Sequence, residues 1–555
     1  MPTAVGKAEG ARTSPFVEPD FRRIWGASLC SNLAQQVQAV SAAWLMLQLT
    51  SDAGMVALVQ TATMLPIFLL ALPGGAAADM YDKRRFAMAA LLWVMAAATI
   101  LAVLAITGLV TPFILLAGCF FVGCGIAIFF PIWQSSIGEI VTRDQLPSAI
   151  ALYAVSANAA RSVGPAIGGF VVAAMGAAAA LVGNVFLYLP MLTALFLWKR
   201  RHVPSRLPPE PILRAMASGL HYVRYATGIR TAFLRAFVTA VGTSAVYGLL
   251  PVVAAQMPGG DAGTFGLLLA AFGIGAVVSG FVAAPLQRRL SGRMLVASVT
   301  LVQGSGILAL GLGSNLVIAL GAAALAGGAW TLLITFFNVV VQLSVPRWVL
   351  GRSLAVYQAT VAAGLSFGAA LWGWLAAQTD VHTAIMVAGA AMILSLVLNI
   401  VAPIRDASHG DTESVPAASA PELAIAINGN SGPIIVELEY RIPASQARKF
   451  YHKARQVQRM RGRNGAYGAS LSRDLSDPEL WLERAHFPTW NDYLRARDRP
   501  TQAERDLIAE LRGMHVGPDA PRLQRRLERP FGSVRWQADA PEDDGSGLVN
   551  NADPL

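Results

Sequence analysis

The chain has 555 residues, of which 55% are hydrophobic and only 14% are charged, whereas about 25% of the residues in a typical soluble domain carry charge. This composition excludes an ordinary soluble protein and indicates a polytopic membrane protein. The formal net charge of +10 would suggest a nucleic-acid partner for a soluble protein, but basic loops on one side of a membrane account for it, so we exclude nucleic acid.

The N-terminal residues and the cysteines narrow the class of protein further. Residues 1–20 lack a continuous apolar segment and a small-residue cleavage site, which predicts a cytoplasmic tail and no removable signal peptide. Cys30, Cys119 and Cys124 all lie in apolar stretches, at spacings that fit neither a disulfide framework nor a zinc site. We therefore expect no metal and no cofactor.

Twelve apolar runs precede residue 404. A helix that crosses a hydrocarbon core of roughly 30 Å needs about 20 mostly apolar residues, and each run is long enough. We predict an all-α membrane region with twelve transmembrane helices near residues 24–49, 54–78, 86–107, 111–134, 149–175, 177–198, 231–256, 262–286, 293–313, 315–342, 352–377 and 381–403.

The loops between these runs differ in charge on the two sides. On one side they contain basic residues, among them Arg84, Arg143 and Arg288, whereas the opposite loops, such as those near Ser51 and Thr379, contain none. The positive-inside rule places the basic loops and both termini in the cytoplasm. This arrangement requires an even number of spans.

A basic, proline-rich connection over residues 199–230 divides the helices into two groups of six, at 21–198 and 231–403. A constant shift of 204 residues superimposes Arg84, Arg143, Tyr153, Gly164 and Gly169 on Arg288, Arg347, Tyr357, Gly368 and Gly373. This offset predicts two six-helix halves related by duplication, as is common in transporters.

The segment GGAAADMYDKRRF follows the second predicted helix and contains Gly75, Asp79, Asp82, Lys83, Arg84 and Arg85. Here the sequence resembles the major facilitator superfamily, whose loop between helices 2 and 3 has the pattern G-x-x-x-D-[RK]-x-G-[RK]-[RK]. Met80 and Asp82 replace the usual basic residue and glycine. The resemblance implies a gating loop in which Asp79 forms a breakable latch with a neighbouring helix. The alternative is a positive-inside loop with an incidental aspartate.

The fifth predicted helix contains the run Gly164-Pro165-x-x-Gly168-Gly169. This run is similar to the core of the antiporter signature found in exporters of the same superfamily. Small residues allow close helix packing, and Pro165 removes a backbone hydrogen bond and bends the helix. The resemblance implies a gate or leak barrier, and the alternative is small-residue packing alone.

Arg161 is a cation inside a predicted span, about 18 Å along a crossing of roughly 30 Å. An intramembrane charge is costly and usually faces a cavity or a partner, and Asn158 lies on the same helix face. We interpret the two residues as a substrate or coupling site, which favours an anionic substrate. The alternative is a structural arginine bound by carbonyls of the fourth helix or by Glu139.

Neutral polar residues also lie within the predicted spans, whereas Asp and Glu occur at loops and helix ends. This distribution argues against a midplane carboxylate as the proton carrier. Helices 1, 4, 7 and 10 line the cavity of the superfamily, which implies a cavity-lining role or, alternatively, interhelical hydrogen bonding. The residues concerned are Asn32, Gln35, Gln36, Gln134, Asn338 and Gln342.

After a predicted flexible linker at 404–432, the sequence changes from apolar runs to a segment rich in charged residues. Strands at 434–442, 466–475 and 479–487, with helices at 445–463, 489–497 and 501–511, predict a ferredoxin-like α+β domain at 433–537, followed by a disordered tail at 538–555. The domain resembles the dimeric barrels of antibiotic-biosynthesis monooxygenases. The segment Thr489 to Thr501 resembles one appended to transmembrane secretion effectors, which are related to siderophore exporters.

Together these resemblances imply a secondary transporter in the bacterial cytoplasmic (inner) membrane. It would export a siderophore, an antibiotic or another lipophilic metabolite by alternating access, driven by the proton gradient. The C-terminal domain would then regulate, sense ligand or dimerise. The alternative is a membrane-tethered enzyme with a monooxygenase-like C-terminal domain, although no nucleophile with a nearby base can be identified there.

The predicted topology can be tested by cysteine labelling in intact bacterial cells. In a variant without native cysteines, we expect a membrane-impermeant maleimide to label Thr379→Cys and to leave Ala407→Cys unlabelled, because the loop charges place the two positions on opposite sides. Labelling of Ala407→Cys without permeabilisation would contradict the even number of spans.

Overall fold

The structure is a computed structural model that describes residues 14–80, 82–142, 144–198, 222, 227–312, 315–404, 423–425 and 427–528. Most of the predicted central loop (199–230) and linker (404–432), and all of the predicted terminal tail (538–555), lie outside the described residues. The chain divides into two compact units. The membrane unit comprises Met1–Met216, Thr231–Val341 and Leu354–Asp406, and the tail unit comprises Ala217–Arg230, Gln342–Ser353 and Ala407–Leu555.

Helices, most of them long, form the part of the chain that precedes residue 405. They are α1 (Pro19–Leu49), α2 (Ala53–Met80), α3 (Lys83–Ile106), α4 (Pro112–Ile140), α5 (Leu146–Met175), α6 (Ala177–Leu187), α7 (Leu189–Leu197), α8 (Thr227–Gln256), α9 (Ala262–Arg289), α10 (Gly292–Leu312), α11 (Leu316–Ser344), α12 (Arg347–Gln378), α13 (Val381–Leu394) and α14 (Leu398–Val401). The sixth predicted run is broken at Tyr188, and the last is broken by a 3₁₀ turn over Ser395–Val397.

Ten segments of the described chain are long and apolar enough to cross a membrane. The helices α1 and α5 are not among them, although they are 31 and 30 residues long. Both carry several polar side chains, including Gln35 and Gln36 on α1 and Asn158 and Arg161 on α5. The polar residues of these two helices therefore mark where the interior of the membrane unit is polar.

Aspartates begin several of the membrane helices. The side chains of Asp82, Asp261 and Asp380 accept hydrogen bonds from backbone N–H groups three residues later, at 2.9, 2.8 and 2.9 Å. Each occupies the N-cap position, where a carboxylate satisfies a free N–H group and interacts favourably with the helix dipole. The N–H and hydroxyl groups of Thr264 lower the pKa of Asp261.

Helix α5 packs between α1 and α9 through its small residues. A Cβ atom added at Gly164 would lie 2.7 Å from Cβ of Gln36 on α1, and one added at Gly169 would lie 2.7 Å from Cα of Gly266 on α9. The Ser162 hydroxyl also donates to the carbonyl of Gly273 on α9, at 3.0 Å. Only glycine permits this approach, which joins the first half of the helices to the second.

The second half repeats these contacts. A Cβ atom at Gly368, which the shift of 204 residues relates to Gly164, would lie 2.8 Å from Cα of Val241 on α8. One at Gly373, the mate of Gly169, would lie 2.6 Å from Cβ of Ala57 on α2. The hydroxyl of Thr61 on α2 donates to the carbonyl of Ser366 at 2.9 Å. The mated glycines therefore make corresponding contacts, and the second set forms another seam between the halves.

The described residues 427–528 of the tail unit form a four-stranded antiparallel sheet and three α-helices. Along the chain these are β1 (Ile434–Arg441), α15 (Ala447–Arg463), β2 (Tyr467–Arg473), β3 (Leu480–Phe487), α16 (Trp490–Asp498), α17 (Gln502–Arg512) and β4 (Arg522–Leu527). The strand order is β2-β3-β1-β4. Tyr440, Phe450 and Trp481 form an aromatic core between sheet and helices, and burial raises the pKa of Tyr440.

The strands and helices predicted at 434–511 coincide with β1 to β3 and α15 to α17, but the sequence analysis did not predict β4. Its sequence, RLQRRL, contains three arginines and reads as a solvated basic segment. Pairing with β1, in which Val436 lies opposite Arg525, holds it in the sheet through backbone hydrogen bonds. Side-chain pattern alone does not report such an edge strand.

We expect Gly169→Leu to lower the thermal unfolding midpoint of the detergent-purified protein by several degrees, because overpacking costs about 1–3 kcal/mol. Gly183→Leu is the matched control, since a Cβ atom at Gly183 meets nothing within 4 Å. Equal midpoints for the two variants would contradict a tight seam between α5 and α9.

Candidate functional site

A cavity of about 530 Å³ lies inside the membrane unit, between the two halves. Helices α1, α2, α4 and α5 line it from the first half, and α8, α9, α11 and α12 line it from the second. The inter-half seams described above therefore adjoin a space that both halves enclose. Clefts of this size between structural repeats are where transporters bind their substrates.

Amide and hydroxyl groups supply most of the polar lining. Helix α1 contributes Gln35, Gln36 and Gln38, and the second half contributes hydroxyl, phenol and amide groups on α8, α11 and α12. Gln38 accepts a hydrogen bond from Nδ2 of Asn184 at 2.7 Å. Its own Nε2 is buried without a hydrogen-bond partner in the described part of the chain. The second-half polar residues are Tyr247, Thr331, Thr335, Asn338, Tyr357 and Gln358.

Arg161 supplies the only charge among the described residues that line the cavity. Its Nη1 atom donates to Oδ1 of Asn158 at 2.9 Å, one helical turn earlier on α5. Leu365, the mate of Arg161 under the shift of 204 residues, also lines the cavity. The cavity therefore has a cationic side in the first half and an apolar group at the corresponding place in the second.

The structure brings Gln35, Gln36, Asn158, Arg161 and Asn338 together at the cavity, as their positions within spans had suggested. Three other residues of the predicted site lie outside the lining. Asn32 donates to the Ser156 hydroxyl at 3.3 Å, which is an interhelical bond between α1 and α5, and the side chains of Gln134 and Gln342 are exposed. Sequence reasoning missed Gln60 and Gln358, although each is an amide inside an apolar helix.

The basic residues of the predicted gating loop bind neighbouring helices. Lys83 forms an ion pair with Glu139 of α4 at 3.0 Å. Arg84 donates from Nε to the Leu195 carbonyl at 2.9 Å, at the end of α7, where free carbonyls attract cations. Arg85 is exposed.

The proposed latch residue Asp79 lies in the last turn of α2. The side chain of Asp79 and the surroundings of Gly75 are outside the described part of the structure. The latch therefore stays a prediction. The Glu139 carboxylate, considered above as a partner of Arg161, instead binds Lys83.

The sequence matches the family model described as transmembrane secretion effector over residues 11–531. It is 24% identical to the multidrug efflux pump Tap of Mycolicibacterium fortuitum over 392 residues, which covers 68% of this chain and 94% of that protein. It is 23% identical to the uncharacterized MFS-type transporter YfiS of Bacillus subtilis (strain 168), covering 60% of this chain and 80% of that protein.

Solved structures with the same fold include a bacterial homologue of the human lysosomal transporter Spinster in an inward-facing, unoccupied conformation. Its TM-score is 0.53 at 14% identity, covering 70% of this chain and 96% of that one. The POT family transporter PepTSo has a TM-score of 0.56 at 13% identity, covering 69% of this chain and 97% of that one. At these identities the likeness establishes the fold alone.

The pair formed by Lys83 and Glu139 can be tested by charge reversal. We expect Glu139→Lys to lower the thermal midpoint in detergent, because two cations would face each other in a partly buried place, and Lys83→Glu/Glu139→Lys to recover most of the loss. The loss of unfolding free energy in Glu139→Lys should be about 1–3 kcal/mol. Arg85→Glu, an exposed reversal in the same turn, should change little; a double variant no better than Glu139→Lys would contradict the pair.

Proposed function

Because this chain belongs to the transmembrane secretion effector family of the major facilitator superfamily, we propose that it exports a small organic molecule across the bacterial cytoplasmic membrane by alternating access. The observation that carries the proposal is a polar cavity between the halves with a single cation, Arg161, in its described lining. In this proposal α1 and α5 join the ten apolar segments to give twelve spans, with both termini in the cytoplasm.

The two seams supply a physical basis for alternating access. Each consists of small residues, at Gly169 and Gly266 on one side of the cavity and at Gly54 and Gly373 on the other. Contacts of this kind have few interlocking side chains, so one half can rock against the other about the cavity. We propose that the Gly164–Gly169 segment of α5 is a hinge and leak barrier in this motion, in addition to its packing role.

The lining indicates the chemical class of the substrate. A guanidinium presents a planar fork that binds a carboxylate, phosphate or similar group through two hydrogen bonds. The amides of Gln35, Gln36 and Asn338 bind neutral polar groups, and Phe265 and Trp330 supply apolar surface. We therefore propose an amphipathic organic anion, a description that includes many siderophores, antibiotics and lipophilic metabolites.

The energy source that we propose is the proton gradient, by antiport. No carboxylate lies among the described lining residues, so the proton would be carried elsewhere in the protein or on an ionisable group of the substrate itself. An inside-negative membrane potential would also favour the outward movement of an anion, by about 2.3 kcal/mol per charge per 100 mV.

For the tail unit we propose a ferredoxin-like domain that serves regulation, ligand sensing or dimerisation. Its antiparallel β2-β3-β1-β4 sheet and the order of strands and helices along the chain support this classification. The alternative, a monooxygenase-like enzymatic domain, has no supporting observation among the described residues.

Substitution of Arg161 tests the proposed function. Efflux would be measured in a strain that lacks the transporter, over a panel of siderophores, antibiotics and lipophilic metabolites, at matched expression. We expect Arg161→Leu, which copies Leu365 of the other half, to insert normally and to reduce export of anionic compounds about tenfold or more. Arg161→Lys keeps the charge without the planar fork and should retain partial activity.

Gln134→Leu is the control, since Gln134 belongs to the same predicted set but lies outside the lining. Normal export of an anion by Arg161→Leu would overturn the role of the guanidinium. Failure of the wild-type protein to export any compound of the panel would count against the proposed substrate class as a whole.

A further inference from the structure

The tail unit contains a second cavity, of about 590 Å³. It lies between one face of the sheet at β1 and β4 and the helices α15, α16 and α17. This inner face of the sheet carries the side chains of Val436, Leu438, Leu523 and Arg525, whose backbones are paired in register across the two strands. β4 is an edge strand of the sheet, so the cavity lies at one end of the strand order.

Five arginines from four different elements line this cavity, and no Asp or Glu is found among its described lining residues. They are Arg461 of α15, Arg497 of α16, Arg505 and Arg512 of α17, and Arg525 of β4. Like charges that converge on a concave surface repel one another, and the low-dielectric walls strengthen this repulsion. Such an arrangement is stabilised when an anion binds between them.

Two of these guanidinium groups are held in place by the fold. Arg461 forms an ion pair at 3.2 Å with Glu483, whose side chain is only 1% exposed. Arg525 donates from Nε to the Tyr493 hydroxyl at 2.7 Å, and its guanidinium lies 5.9 Å from the centre of the Tyr493 ring. A site built from side chains that are already oriented loses less entropy when a ligand binds.

On the opposite face of the same sheet, arginines are paired with a buried carboxylate. There, the buried Glu437 lies between Arg484 and Arg526, with N–O distances of 2.6 and 3.2 Å. Two arginines share one carboxylate on that outer face, whereas five arginines line the inner cavity and Glu483 lies behind one of them. Arginine therefore occurs on both faces of the sheet, but in the cavity five arginines line one concave surface.

Most of the remaining wall of the cavity is apolar. Met460, Phe487 and Ile508 contribute to it together with the apolar residues of β1 and β4. A ligand that satisfies both parts has an oxyanion group for the guanidiniums and a hydrocarbon or aromatic body for the wall. Inorganic anions would satisfy only the first part.

We propose that this arginine-lined cavity of the tail unit is a binding site for a small organic anion with an apolar body, such as an aryl or acyl carboxylate or phosphate. Every lining residue belongs to the tail unit, and none belongs to the membrane cavity that contains Arg161. The proposal therefore stands or falls independently of the proposed export function.

The test is isothermal titration calorimetry on the purified full-length protein in an uncharged detergent. The probes are 4-phenylbutyrate and phenyl phosphate, with 4-phenylbutanol and 4-phenylbutylamine as neutral and cationic analogues. We expect saturable binding of the two anions, and binding of the alcohol and amine at least about tenfold weaker, because the charge-assisted hydrogen bonds are lost.

Four variants locate the binding. Arg497→Gln/Arg512→Gln should weaken anion binding about tenfold or more, and Ala509→Trp, which keeps every charge and fills the cavity, should weaken it as well. Arg522→Gln, on the outer face of β4, should bind like the wild type. Arg161→Leu should retain the binding, which separates this site from the membrane cavity.

Several results would overturn the proposal. They are the absence of anion binding to the wild type, equal binding of the amine or the alcohol, wild-type affinity in both cavity variants, and loss of binding in Arg161→Leu alone. Matching thermal midpoints of Arg497→Gln/Arg512→Gln and Arg522→Gln would establish that the weaker binding does not come from misfolding.

Discussion

The close approach of α5 to α1 and α9 is the constraint on which the rest of the membrane unit depends. Gly164 and Gly169 let the helix contact one neighbour within its own half and one across the cavity, and Ser162 adds a hydrogen bond to the second contact. Arg161 belongs to the same helix, one residue before that serine. The packing that joins the halves therefore also determines the position of the Arg161 charge in the cavity. Residues of α5 that serve packing and the residue that supplies the charge are neighbours in the sequence.

The sequence predicted much of this site because polar groups inside a membrane are costly and hence conspicuous. That argument located Arg161, Asn158, Gln35, Gln36 and Asn338, and the duplication located the corresponding glycines of the second half. It also selected Asn32 and Gln134, because periodicity along one helix does not determine which neighbour a face meets. The amide of Gln60 was missed for the same reason: a single polar residue in an apolar helix does not reveal the direction in which it points.

The tail unit was harder to predict in its details. Alternation and amphipathicity indicated the first three strands and the three helices, but β4 is held by backbone pairing with β1 and carries little hydrophobic signal. The sequence analysis did not predict the arginine-lined cavity, for a related reason. Its five cations are spread along the chain from Arg461 to Arg525, and each taken alone resembles an ordinary solvated residue. The packing of the three helices against the sheet brings them to one place.

The difference between Arg161 and Leu365 has a consequence for molecular recognition. A cavity formed by two duplicated halves has approximate twofold symmetry, and identical groups on both sides would allow a ligand to bind in either of two reversed poses. Because the Arg161 guanidinium corresponds to the isobutyl group of Leu365 in the other half, the two reversed poses are not equivalent. In the proposed export cycle, a ligand with a single anionic group would be held with that group toward the first half. Its two ends would then experience different surroundings as the halves move, and the chain would discriminate between regioisomers that a symmetric cavity would treat alike.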